Sequence, residues 1–194
     1  MASFNIHLAI GKRYIEKFKS IENIDIFYKG IIDPDLVNDK AISHYTGVQD
    51  KTNLLNYLAN KVQLNEYLKN NNIDTDYNKG IFLHLITDYL FFNKFFNNKY
   101  LNNISYEDFC KDLYYSYDIT NDYIVNKYKI DYTIFIELIN NNINKDKKEK
   151  NVSTEIRNNI LPYPILDEFI EYVSNISLEE YKDKIIKANK NVYP

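Results

Sequence analysis

Only 4 Gly and 4 Pro occur in 194 residues, and that scarcity restricts the fold more than any other feature of the chain. Sandwiches and barrels need turn residues about every 8–12 positions. Here they are missing, and no stretch shows the strict apolar–polar alternation of a half-buried strand. Hydrophobic residues make up 45% of the chain, enough to fill one core at this length. The expectation is therefore all-α: one compact domain over residues 1–194, built from about eight helices.

The local signals divide the chain. Ser3 can cap a first helix that carries Phe4, His7, Leu8, Gly11, Tyr14, Ile15 and Phe18 on one face. Residues 24–32 form an apolar run ending in Gly30-Ile-Ile-Asp33-Pro34-Asp35, where Pro34 predicts a turn. Asp33 or Asp35 then caps the next helix, unless one carboxylate turns back toward a site. Lys40–Tyr45 is a short segment without an apolar stripe, and residues 51–70 read as one broken helix or two consecutive ones. Asp76 is the expected cap of a helix reaching about Asn97, with Phe91, Phe92, Phe95 and Phe96 as core. Ser105-Tyr-Glu-Asp108 opens a long helix to Tyr128, and Asp131 caps a shorter one through Leu138. Residues 140–158, dense in Asn, Lys, Asp and Glu, read as a flexible solvated loop. Pro162 and Pro164 precede a helix at 165–174, and Ser177-Leu-Glu-Glu180 is a capping box for a last helix at 178–190.

One apolar run carries polar residues that need explaining. Gly80-Ile-Phe-Leu-His84-Leu-Ile-Thr-Asp88-Tyr-Leu-Phe-Phe92 places a histidine and an aspartate one helical turn apart. Burying such groups bare costs about 2–7 kcal/mol for a neutral one, so they must be hydrogen-bonded, paired or metal-bound. A buried His84–Asp88 pair and a metal site satisfy this equally well. His7 faces inward, where a lone histidine is more often a satisfied core residue than a ligand. His44 has no local distinction except that the chain holds only 3 histidines.

Other chemistries lack their residues. There is no Walker loop, dinucleotide glycine pattern, Cys-x-x-Cys or Gly-x-Ser-x-Gly elbow. Cys110 is the single cysteine and has no neighbouring base in sequence. Net charge is −3 with no basic block, so no nucleic-acid partner is expected. No run reaches the roughly 18 apolar residues of a membrane span, and no signal pattern precedes the first helix; a cytoplasmic location is the expectation.

Taken in order, His7-Leu-Ala-Ile-Gly11, Gly30-Ile-Ile-Asp-Pro-Asp35, Lys40-Ala-Ile-Ser-His44 and His84-Leu-Ile-Thr-Asp88 resemble the zinc-dependent phospholipase C family. The likeness is to its short bacterial members without a signal peptide, and the motifs span residues 4–92. It is looser at Tyr117-Asp118-Ile-Thr-Asn121 and Leu166-Asp-Glu-Phe-Ile170. The resemblance implies the phospholipase C/P1 nuclease fold and hydrolysis of a small phosphate ester or lipid headgroup. It implies that His44, His84 and Asp88 form the core metal site. His7 would serve a neighbouring metal, with Asp88 bridging and Asp35 as ligand or base at the attacking water. Two features depart from the secreted members: the chain has no N-terminal Trp, and no histidine follows His84. One or two zinc ions are therefore expected rather than three, with Asp118 as a replacement ligand. The alternative is a catalytically inactive helical protein that binds metal and serves as a binding or structural module.

Overall fold

The computed structural model describes residues 1–48, 50, 52–96, 98–135 and 157–194. Its centre is the apolar run. Helix α6 (Asp76–Leu90) buries every residue from Phe82 to Leu90. A helix apolar all round must be enclosed on all sides. Five helices do this: α1 (Phe4–Lys17), α2 (Ile24–Leu36), α5 (Leu64–Asn70), α9 (Tyr163–Ser174) and α10 (Leu178–Ala188) all pack on it. The remaining helices are α3 (Lys40–Ser43), α4 (Leu54–Ala59), α7 (Asn98–Leu101) and α8 (Tyr106–Tyr128). The described residues are all-helical without strands, and eight of the helices are six residues or longer. None is long and apolar enough to cross a membrane.

Leu90 runs directly into a π-helical turn, Phe91–Phe95. Phe91 packs there on Phe96 and Phe169, with ring centroids 5.1 and 5.6 Å apart. The phenylalanines are core, as their spacing suggests. Ser105 and Ser177 accept the expected capping bonds from the N–H groups of Asp108 and Glu180.

Several local expectations are corrected. Pro34 does not end a helix but lies inside the last turn of α2. Its missing N–H forfeits one intrahelical bond, and the helix ends two residues later at Leu36. Asp33 and Asp35 cap nothing: Asp33 pairs with Lys29 and accepts from the Tyr77 hydroxyl, and Asp39 caps α3. Thr75, not Asp76, caps α6. Asp76 instead accepts from the N–H groups of Glu22 and Asn23, tying α6 to the start of α2. Ser3 stands at the α1 N-cap without a side-chain capping bond. Asp131 accepts from Thr133 at the start of a 3-10 turn, Tyr132–Phe135. Residues 136–138, and all of the expected 140–158 loop except 157 and 158, lie outside the described residues.

The tightest packing is the crossing of α2 on α6. Gly30 and Gly80 face each other there; a Cβ on Gly30 would overlap the backbone oxygen of Tyr77, and one on Gly80 that of Phe27. The obstacle is backbone in both cases, so no side chain can swing aside. Alanine gains about 1 kcal/mol of helix propensity over glycine, whereas overpacking costs about 1–3 kcal/mol. Gly30→Ala and Gly80→Ala are each expected to lower stability by up to about 2 kcal/mol, read as a fall in the urea midpoint. A midpoint that rises in either variant would show that the crossing is looser than described.

Candidate metal centre

Four elements deliver the polar residues. α1 buries its stretch from Asn5 to Gly11 and so carries His7 inward. The last turn of α2 supplies Asp35, and α3 ends at His44 as its C-cap. α6 supplies His84 and Asp88 from one face. The three histidines and Asp88 are at most 3% exposed, while the Asp35 side chain keeps 14% exposure. Asp35 is thus the carboxylate of the group nearest to solvent.

These five side chains converge. His44 Nε2 lies 3.0 Å from His84 Nε2 and 3.2 Å from Asp88 Oδ2, and His84 Nε2 lies 3.6 Å from the same oxygen. His7 Nε2 is 3.4 Å from Asp88 Oδ1 and 4.0 Å from Asp35 Oδ2. The His7 and His84 rings stack in parallel, with centroids 3.9 Å apart.

Hydrogen bonds on the far side of two rings decide what the near side presents. His84 Nδ1–H donates to the Ile31 carbonyl at 2.7 Å, across the α2–α6 crossing. His44 Nδ1–H donates to the Lys40 carbonyl at 3.0 Å and meets Ser43 Oγ at 2.8 Å. The Ser43 hydroxyl is itself committed to the Pro34 carbonyl. With their protons on Nδ1, both imidazoles turn bare Nε2 lone pairs toward each other and toward a carboxylate. Acceptors facing acceptors at this range repel unless a cation lies between them. One proton shared by the two Nε2 atoms would relieve only that contact. Neither nitrogen of His7 has a hydrogen-bond partner, nor has Asp88 Oδ2, although all three atoms are buried.

A metal ion meets the whole set. Ligand atoms about 2.0–2.2 Å from one tetrahedral ion lie about 3.3–3.6 Å from each other. The His44–His84–Asp88 edges of 3.0, 3.2 and 3.6 Å are close to this. Imidazole and carboxylate also suit borderline divalent ions. A second group, His7–Asp35–His84, brings its ligand atoms within 4.8 Å of one another. His84 cannot serve both groups, because its Nδ1–H is spent on Ile31 and it keeps a single lone pair. Asp88 can: Oδ2 faces His44 and His84 while Oδ1 faces His7, and Oδ1 also accepts from the Ala2 N–H at 2.6 Å.

Electrostatics follow the same arrangement. Burial pushes Asp88 up, but the imidazoles of His44, His7 and His84, all within 3.6 Å of its carboxylate, hold it well below the usual carboxylate range. Asp35 is also held low, its burial outweighed by His84, His7 and Lys40. Burial and the neighbouring His84 charge push His7 down. For His84, burial is overcome by Asp88 and Asp35 and its pKa is raised.

The structure brings together His7, Asp35, His44, His84 and Asp88, but not Asp118. Asp118 is exposed on α8, and its neighbour Tyr117 is the buried residue that turns toward the centre. The Tyr117 hydroxyl donates to the Met1 carbonyl, and its pKa is driven far up by burial and then by Asp88. Tyr117 stands in the motif beside Asp118, so helix phase was the signal available. The orienting carbonyls of Ile31 and Lys40 had none, since backbone acceptors leave no mark on residue identity. No family model, curated protein or solved structure matches the chain.

Protein purified without chelator or affinity tag is expected to retain about one equivalent of divalent transition metal or more. Elemental analysis of His84→Ala should show less than half of that amount. Equal content in both proteins would contradict the site.

The metal-free protein has a defined pH response. The folded pKa of Asp88 lies below its ordinary 3.8, so its contribution is present above about 3.8 and lost as pH falls through the folded value. His7, lowered from 6.5, also favours unfolding on acidification, because the unfolded chain takes the proton first. His84 acts oppositely, with stability present below 6.5 and lost as pH rises through its raised folded value. Urea unfolding from about pH 7 to pH 3 should therefore show a loss on the acid side that Asp88→Asn makes shallower.

Proposed function

We propose that the protein is a metal-dependent hydrolase of phosphate esters, with one or two zinc ions held by His44, His84 and Asp88 and by His7 and Asp35. The observation that carries this reading is the difference between the two carboxylates. Asp88 is completely buried among three imidazoles, whereas Asp35 stands at the rim, 3.9 Å from His44 Nε2 and partly open to solvent. A purely structural metal site is closed, while a catalytic one keeps a position open to water and substrate. The ordered motifs resembling zinc-dependent phospholipases C support the same reading.

A bound ion would lower the pKa of a coordinated water toward about 7 and offset phosphoryl charge. The protein's own residues would do the rest. Asp35 orients the attacking water and accepts its proton as the oxygen adds to phosphorus. The phosphorus–ester oxygen bond then breaks, and the leaving oxygen takes up a proton, which Asp35 can return. Asp35 is ionised at neutral pH, so it can accept the hydrogen bond that orients the water. Asp88, fixed by the Ala2 N–H among the three histidines, would serve as a ligand and take no part in proton transfer. The substrate is a small phosphate ester or a lipid headgroup.

The second reading is a metal-binding helical module without catalysis. Its support is Asp118, which lies exposed on α8 and leaves the centre with five side chains among the described residues. Turnover separates the two. Metal-loaded protein is expected to hydrolyse members of a panel of p-nitrophenyl phosphomonoesters and phosphodiesters. Asp35→Asn should lower kcat by about 10²–10⁴ while keeping metal at His44, His84 and Asp88. A fully loaded protein inert across the panel would favour the module.

A further inference from the structure

Of residues 37–48, His44 alone is buried. Residues 37–42 are exposed one after another, and Ile42 on α3 is 73% exposed. α3 therefore places no apolar side chain in the core, and polar bonds tie it to the body. The Ser43 hydroxyl donates to the Pro34 carbonyl at 2.8 Å, and Lys40 Nζ donates to Asp35 Oδ1 at 2.9 Å. Behind His44 the chain is fastened to other elements. Thr46 Oγ1 donates to the Lys61 carbonyl at 3.0 Å, and Gly47 N–H donates to the Asn60 carbonyl at 2.9 Å. The Tyr45 ring lies edge-on to Tyr67 at 5.6 Å, and its hydroxyl accepts from Asn71 at 2.8 Å. The boundary between the two parts falls at Tyr45, whose φ of 53° is left-handed and rare for a bulky side chain.

We propose that α3 is a metal-fastened latch: it swings out at Tyr45 to admit the cation, and the cation, bound through His44, holds it shut. This rests on the metal reading of the same site and adds how the ion enters and what it orders. The three histidines and Asp88 are at most 3% exposed, so an ion reaches them only when some element moves. His7, His84 and Asp88 stand on α1 and α6, among buried apolar residues of the same helices. Segments with few buried apolar contacts open first, and α3 is the one such segment that carries a member of the centre. Closed without a cation, α3 holds the His44 and His84 Nε2 lone pairs 3.0 Å apart, a contact that pushes it outward. A cation between the two nitrogens turns that repulsion into attraction. Two backbone bonds join α3 to the fixed part and break when it swings: Tyr45 N–H to the Ile42 carbonyl at 3.2 Å and Thr46 N–H to the Ala41 carbonyl at 2.9 Å. A rigid surface turn would be exposed in the same way, but its amides would not respond to the ion.

Amide hydrogen exchange on the full chain, chelator-treated and then loaded with zinc, tests the latch, with zinc content measured on each sample. Zinc at about 100 times its Kd should slow exchange of the Tyr45 and Thr46 amides by about tenfold or more, up to a linkage limit of about 100-fold. The α6 amides from Leu83 to Leu90 are the internal reference and should slow less. His7→Ala, which leaves His44, His84 and Asp88 in place, should keep the response, and His44→Ala should lose it with α6 still protected. Trypsin cleavage after Lys40 needs no substitution, and zinc should slow it in wild type by about tenfold or more. Tyr45 and Thr46 amides as protected as those of α6 in metal-free protein would overturn the latch. So would equal slowing of α6, which marks global stabilisation, or a full zinc response in His44→Ala. Failure of the underlying metal reading looks different: wild type would take up less than about half an equivalent of zinc, and the fastening would fall with it. Full uptake with unchanged exchange at Tyr45 and Thr46 would remove the latch alone.

Discussion

The bond from His84 Nδ1–H to the Ile31 carbonyl is the interaction on which the centre depends. It exists only because α2 and α6 approach closely enough for a side chain on one helix to reach a backbone oxygen on the other. Gly30 and Gly80 make that approach possible, since a Cβ on either would meet backbone of the opposite helix. The bond fixes the ring's tautomer, and the tautomer directs the Nε2 lone pair at His44 and Asp88. A packing feature of the core is thereby converted into a chemical one. His44 repeats the device with the Lys40 carbonyl, over a single turn of chain rather than across two helices.

The cluster that results is costly without a cation. Three imidazoles and Asp88 are almost wholly buried together, and several of their polar atoms have no hydrogen-bond partner. An unsatisfied buried group costs about 1–3 kcal/mol, more if charged. A fold does not accumulate several such costs in one place for stability's sake, because an apolar core of the same volume would be more stable. Concentrated strain of this kind is characteristic of a site that binds something. Lys40 fits the same view, its ammonium donating to Asp35 at 2.9 Å on the exposed side of the centre.

Much of this was legible in the residues. The shortage of glycine and proline pointed to helices, and the apolar run ending at Phe92 marked the central one. His84 and Asp88 were readable as a same-face pair from spacing alone. His7, His44 and Asp35 were not: each has an ordinary local explanation, and only the order of four short motifs drew them together. Local chemistry misled where tertiary structure overrode it. Pro34 reads as a turn in isolation, yet α2 carries it because the helix is about to end. Asp76 reads as a cap, yet Thr75 takes that role and Asp76 is used to hold α2. Asp118 stands in the looser motif beside Tyr117, yet the phase of α8 buries Tyr117 and leaves Asp118 exposed. Backbone acceptors such as Ile31 could not be read at all, because any residue supplies the same carbonyl.

The most direct measurement of the central claim is X-ray absorption at the zinc edge on protein as purified, joined to anomalous diffraction from its crystals. The expected result is an anomalous peak at the point shared by His44 Nε2, His84 Nε2 and Asp88 Oδ2. Its absorption spectrum should fit nitrogen and oxygen ligands at about 2.0–2.2 Å. A crystal with no anomalous peak there, in which His44 and His84 hydrogen-bond each other directly through a shared proton, would contradict it.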